Sequence, residues 1–235
     1  MLTRALALAL SVASFACASE GGAFAHGDEP GTGTSTLTVI ATAYATPRVT
    51  NAASDDDYDT AFRVVIDKGA ARVVEGSVTI TSARGALELT LDTREGGVWM
   101  GSQPSYREVY LLDIVSGADR VDGVRIDGPD RHRFTAPVEG STVDAQAPLT
   151  LAWSRLDTAT TATLSTSLLT QEVPDTGSFA LAAEALANAP DRVVAETVRL
   201  ERASVVIPAG ALIGSSFTAT VLNTLKLSVA PTAGE

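Results

Sequence analysis

The strongest constraint in this chain is an alternation of apolar and polar residues at a period of two, the pattern of a half-buried β-strand. Val39, Ala41 and Ala43 share one face, followed by Phe62, Val64 and Ile66, by Val78 and Ile80, and by Leu87, Leu89 and Leu91. Thr, Ser, Arg and Glu fill the positions between them. Turn signals fall at Lys68-Gly69, Glu75-Gly76, Arg84-Gly85 and Glu95-Gly96-Gly97. Short, evenly spaced strands with one apolar face each predict an all-β chain of antiparallel sheets stacked as a sandwich. The run Val109 to Val115, apolar except for Asp113, predicts a central strand.

The same pattern returns after a break. Between Phe134 and Trp153 the chain carries Pro137, which cannot donate to a sheet, and Gly140-Ser141, a turn signal; Leu149, Leu151 and Trp153 then alternate as a new strand. Ala162, Leu164 and Leu168, then Val198 and Leu200, continue the alternation. From Phe217 to Val229 the odd positions are apolar except Asn223. This predicts two β-sandwich domains, 36–135 and 136–231, and a fragment beginning near Ala136 is expected to fold alone. One short helix is expected over Leu181 to Asn188, ending before Pro190.

Residues 1–16 have a single charge, Arg4, and then an apolar stretch ending in small residues, the layout of a secretory signal peptide. The lone cysteine, Cys17, follows it in Ser14-Phe15-Ala16-Cys17, a string that resembles the lipobox of bacterial lipoproteins, whose cysteine is acylated. Plain signal cleavage without lipid is the alternative, and small residues offer sites for it. Residues 17–35, rich in Gly, Ser and Thr, read as a flexible tether in which His26 is solvated. The formal charge is −11, which argues against nucleic acid as a partner, since phosphate recognition requires a basic face.

Asp175-Thr176-Gly177-Ser178-Phe179-Ala180-Leu181 resembles the corner before strand F of immunoglobulin-like domains, with Trp153 as the matching core tryptophan. Phe179 lacks the hydroxyl of a tyrosine corner, and Leu181 stands where those domains carry a cysteine. Together with Val73 to Ile80 and Tyr106 to Leu111, the chain is similar to the immunoglobulin-like modules of bacterial surface lipoproteins. Such a resemblance implies display, spacing or adhesion.

Several residues carry candidate chemistry. Asp175-Thr176-Gly177-Ser178 is also the signature string of aspartic proteases, and Leu212-Ile213-Gly214 echoes their supporting segment. That mechanism requires a second carboxylate loop, and no second Asp-Thr/Ser-Gly occurs. His132, in Arg131-His132-Arg133, is expected to be exposed at the seam between domains. Asp55, Asp56, Asp57 and Asp59 concentrate carboxylates in one loop; a solvated, self-repelling loop and a Ca²⁺ site are the two readings. Trp99, Tyr106 and Tyr110 either stack on a sugar ring or pack in the core. The expectation is an exported, lipid-anchored, non-catalytic envelope protein held to the membrane through Cys17, at the outer membrane or cell surface, or otherwise periplasmic or secreted. A carbohydrate- or peptide-binding module is the alternative, and an aspartic-type hydrolase using Asp175 a remote one.

Overall fold

The computed structural model describes residues 31–231, and Cys17, His26 and the signal-like segment lie outside them. In chain order the strands are β1 (Thr32–Gly33), β2 (Thr38–Pro47), β3 (Tyr58–Lys68), β4 (Ala71–Arg72), β5 (Ser77–Ser82), β6 (Gly85–Glu88), β7 (Thr90–Asp92), β8 (Val98–Pro104) and β9 (Val109–Ser116). They continue with β10 (Asp119–Asp127), β11 (Arg133–Ala136), β12 (Thr142–Val143), β13 (Leu149–Ser154), β14 (Thr161–Ser165), β15 (Thr170–Glu172), β16 (Ser178–Leu181), β17 (Val194–Val206) and β18 (Ser216–Val229). A single 3-10 turn, Asp55–Asp57, interrupts this all-β order among the described residues. No helix among them is long and apolar enough to cross a membrane.

One long sheet runs in the order β15-β14-β17-β18-β2-β3-β8-β7, and two shorter sheets, β1-β10-β9-β5-β6 and β11-β13-β16, complete two sandwiches with it. The first core joins Val39, Ala41, Phe62 and Val64 of the long sheet to Val78, Ile80, Leu112 and Ile114 of the five-stranded sheet. The second joins Leu164, Val198 and Leu200 to Leu151, Trp153 and Leu181. The alternation is thus the inward face of most strands, and β9 is central as expected, flanked by β10 and β5; the series Leu87, Leu89 and Leu91 is instead divided, with half-buried Leu87 on β6 and Leu91 on β7 in different sheets and buried Leu89 between them.

The boundary at residues 135 and 136 separates the cores differently from the sequence expectation. Phe134 packs into the second core, paired through β11 with Trp153. In the other direction, Phe217, Ala219 and Val221 of β18 fill the first core, while Leu225, Leu227 and Val229 of the same strand fill the second. β18 lies parallel to β2 from Ser216 to Val221 and antiparallel to β17 from Phe217 to Val229. One unbroken strand therefore serves both sandwiches.

Three further expectations change. Thr32 and Gly33, assigned to the tether, pair with Asp122 and Val121, so the end of that segment belongs to the five-stranded sheet. The approach is close: a Cβ on Gly210 would lie 1.9 Å from the Thr32 carbonyl oxygen, which only glycine permits. Leu181 to Asn188 is not helical. Glu184 adopts a left-handed φ of 68° and donates its N–H to the Ala145 carbonyl, and Ala185 and Leu186 turn inward to plug the second core, so packing overrides propensity. Leu168 sits exposed between β14 and β15 and leaves the inward face to Ala162 and Leu164.

A fragment starting at Ala136 would leave Phe217, Ala219 and Val221 uncovered and the β18 edge without β2. We expect it to aggregate or to lack a cooperative thermal transition, whereas the full chain melts as one unit. A cooperative melt of the isolated fragment, followed by circular dichroism, would contradict the shared-strand architecture.

Candidate functional site

The inward phase of β17 runs through Glu196, Val198, Leu200 and Arg202, so the strand's geometry points a guanidinium toward the interior. Arg202 is fully buried, opposite Val221 on β18, where the first core ends and the second begins. Its Nε donates to Asp175 Oδ1 and Oδ2, both at 3.1 Å, and Nη2 donates to Asp175 Oδ2 at 2.9 Å and to the Asp157 carbonyl at 2.5 Å. Nη1 donates to the Asp130 carbonyl at 2.7 Å and to its Oδ1 at 3.0 Å. All five N–H donors of the guanidinium are satisfied, the condition under which a buried charge is tolerated.

The two carboxylates are held from their other sides. Asp130 accepts the N–H groups of Leu156 and Asp157 at 2.7 and 3.1 Å, and Asp175 accepts the Ala159 N–H at 2.8 Å and the Trp153 indole N–H at 3.2 Å. Burial alone would raise the Asp175 carboxyl. The Arg202 hydrogen bonds, the Ala159 N–H, the Arg202 charge and the Trp153 indole together hold it below the ordinary carboxylate value.

Beside this pair, Asn223 occupies the position that breaks the apolar series of β18. Its Oδ1 accepts from Ala52 N and Thr224 N at 3.0 and 2.8 Å, and its Nδ2 donates to the Ala52 and His132 carbonyls at 2.9 and 2.6 Å. Asn51 closes the same seam by exchanging bonds with the Phe134 backbone, at 2.8 Å from Phe134 N to Oδ1 and 3.1 Å from Nδ2 to Phe134 O.

His132 lies at the seam but is buried, not exposed. It is in phase with Phe134, whose ring packs edge-on at 6.2 Å, while Arg131 and Arg133 take the solvent side. Its Nε2 lies 3.1 Å from the Leu200 carbonyl, which can only accept, so that nitrogen carries the proton. Burial, reinforced by the Arg202 charge, pushes the imidazole down to about 3. It is a neutral packing group.

Asp175 is thus bound as a structural anchor to Arg202, the Ala159 amide and the Trp153 indole. Leu212-Ile213-Gly214 lies in the β17–β18 connection, where Leu212 N bonds the Leu37 carbonyl beside the first core.

In the acidic loop, Ser54 and Asp57 form a reciprocal cap around the 3-10 turn, with Ala53 N and Ser54 N donating to Asp57 at 3.0 and 2.8 Å. Asp55 is paired with Arg131 at 2.7 Å and Arg107 at 3.4 Å; Asp56 accepts the Ser105 hydroxyl at 2.6 Å and faces Arg84 at 3.5 Å; Asp59 faces Arg48 at 4.0 Å. The Ser105 hydroxyl lowers Asp56, and the Ser54 and Ala53 amides lower Asp57, from their ordinary values. The loop is ordered by arginines and amides, so the self-repelling reading is corrected. The carboxylates face separate partners, and among the described residues no group of three or more ligating side chains could hold a metal ion.

Trp99, Tyr106 and Tyr110 are buried in the first core and make no stacking platform at the surface. Tyr110 meets Phe62 edge-on at 5.3 Å, and the Tyr106 hydroxyl donates to the Pro129 carbonyl at 2.5 Å.

No protein-family description matches the chain, and no curated protein does. Among solved structures, it resembles the two immunoglobulin domains of DIP-gamma at 10% identity over 83% of this chain and 98% of that one, with a TM-score of 0.25. It also resembles a biofilm-associated protein BSP domain at 16% identity, with a TM-score of 0.23, over 85% of this chain and 30% of that one. At those scores the overlays add nothing to the sandwich architecture already visible in the strand order.

Two consequences can be measured. In the unfolded chain a histidine binds a proton below about 6.5, whereas folded His132 does so only near 3. Between these values the unfolded state holds more protons, so stability is fully present above that window and declines as pH falls through it. Thermal melts of His132→Gln should show a flatter decline from pH 6.5 to about 4 than the parent; equal slopes would contradict a buried neutral imidazole. Arg202→Ala leaves two buried carboxylates without their cation, and urea unfolding should register a loss of about 3–5 kcal/mol.

Proposed function

We propose that this chain is an exported, non-catalytic envelope module, anchored by lipid at Cys17, that works as a stiff spacer or adhesive element. The observation that supports this best is the use of its polar chemistry: the carboxylates and imidazole that a hydrolase would need are bound into the seam joining two sandwiches. Asp175 and Asp130 clasp Arg202, and His132 is held against Leu200. Such a seam, backed by β18 running through both cores, keeps the two halves in one orientation. A stiff unit of this kind suits holding a surface at a distance from a membrane.

The signal-like residues 1–16 and the lipobox-like string ending in Cys17 support export and anchoring. Metabolic labelling with a fatty-acid analogue tests the anchor: the parent should take up label and partition with membranes, and Cys17→Ser should do neither. A parent without label would leave plain secretion as the reading. A binding role is favoured by one additional feature, a cavity beside the seam.

A further inference from the structure

The connection between β17 and β18, residues 207–215, turns its aliphatic side chains outward. Ile213 is fully exposed, Ile207 is 70% exposed and Leu212 is 38% exposed. Ile40, also exposed, lies opposite Ser216, the first β18 residue after this loop. Single exposed aliphatic side chains are ordinary on a protein surface, but several gathered on one short connection mark a contact. The fold holds the loop in this shape. Leu212 N donates to the Leu37 carbonyl at 2.7 Å and Ser35 N to the Gly210 carbonyl at 3.0 Å, which fastens the loop to the chain entering β2. Ser215 N and its hydroxyl both donate to the Leu212 carbonyl, at 3.2 and 2.7 Å, and close a turn in which Gly214 has a φ of 93°. Ile213 is therefore set at the corner of a tight turn.

Charge is missing from this stretch. The sequence has no charged residue between Arg202 and Lys226, and none between Glu29 and Arg48, in a chain whose net charge is −11. The charges beside β1, on β10, are paired: Arg120 with Asp122 at 3.3 Å, and Asp119 with Lys68 at 2.5 Å. The same loop lies where the chain enters the fold, because Thr32 and Gly33 run directly against Gly210. From there back to Cys17 the chain spans at most about 50 Å even fully extended, so an anchor at Cys17 keeps this loop near the bilayer.

We propose that the β17–β18 loop docks on the lipid surface, with Ile207, Leu212 and Ile213 entering the boundary between headgroups and acyl chains. The inference rests on the reading of Cys17 as the membrane anchor. A short link raises the effective concentration of lipid at the loop to about millimolar, so a few aliphatic side chains suffice where an untethered protein would not stay bound. A bilayer fits this surface better than a protein partner does. Protein interfaces centre on aromatic and arginine anchors within a polar rim, whereas this loop offers aliphatic carbon without charge. Its Gly210 and Leu212 carbonyls and its Leu212 and Ser215 amides are already bonded within the fold, as an apolar medium requires of backbone groups. Anchor and loop together give the module two points of contact and hence one orientation on the membrane.

The test couples the full chain through Cys17, its single cysteine, to a maleimide lipid in phosphatidylcholine vesicles, which supplies the anchor whether or not cells acylate that thiol. Fluorescence is compared on vesicles with and without brominated acyl chains, which quench tryptophan on contact. Ile213→Trp should lose at least about twofold more of its fluorescence than Leu168→Trp, a matched control. Leu168 is 61% exposed and sits toward the opposite end of β17, where its neighbour Ser167 bonds Glu196. Trp99 and Trp153 are buried and common to both variants. Adding Ile207→Ser to Ile213→Trp should remove about half of the excess quenching or more. The substituted side chains are all exposed, and unchanged melting curves will show that the variants remain folded. Equal quenching at the two positions, quenching at neither, or quenching indifferent to Ile207→Ser would each overturn the proposal. Quenching on coupled vesicles with no fatty-acid uptake in cells would remove the anchor and keep the loop contact; uptake without quenching would keep the anchor and remove the loop contact.

Discussion

Everything at the junction of the two sandwiches depends on one buried guanidinium. Arg202 collects Asp130 from the link between β10 and β11, Asp157 from the loop after β13, and Asp175 from the segment before β16, and binds them to β17. These segments are far apart in sequence and have no common strand. A buried ion pair is not a strong net stabiliser compared with well-packed apolar residues, because both partners must be stripped of water. Its contribution lies in geometry: five donors in a rigid fork can be satisfied in one arrangement, and any slip leaves a charge unpaired in the interior. Asn223 imposes the same demand two register pairs along the hairpin, opposite Leu200, where an apolar side chain would have allowed sliding.

Much of the fold was legible because period-two alternation is a local property. The inward faces of β2, β3, β5, β13 and β18 follow from residue order alone, as do the central place of β9 and the burial of Trp153. The pairing of β18 with β2 was not legible. Those strands are nearly 180 positions apart in register, and no local pattern records which edge a strand will choose, or that it will choose parallel. The division into two halves followed the break in pattern near Pro137, whereas the division of side chains between cores follows the sheets. Phe134 and Phe217 are each on the side opposite to that expected.

The polar seam was partly legible in hindsight, and the missed signal is phase. Arg202 falls in step with Val198 and Leu200, and Asn223 in step with Val221 and Leu225, so both face inward as surely as their apolar neighbours. A polar residue in the buried phase of a long strand demands partners, and that demand could have been read from the sequence. Asp175 attracted attention for the string around it, but what determines its chemistry is a partner 27 positions away. Arg131 and Arg133 make the stretch around His132 look solvent-facing, yet in a strand entry charged neighbours on both sides take the outward phase and leave the residue between them pointing in.

The parallel neighbours β2 and β18 give the molecule a direction in which it resists force. A pull applied to the chain ahead of Thr38 and beyond Val229 slides these strands past one another, so the six register pairs from Ile40–Ser216 to Ala45–Val221 share the load together. Peeling, in which pairs open one after another, would require the ends to emerge on the same side, and in a parallel pair they do not. Tension along the chain therefore meets the sheet in shear, with β17 bracing β18 on its far edge through thirteen further register pairs.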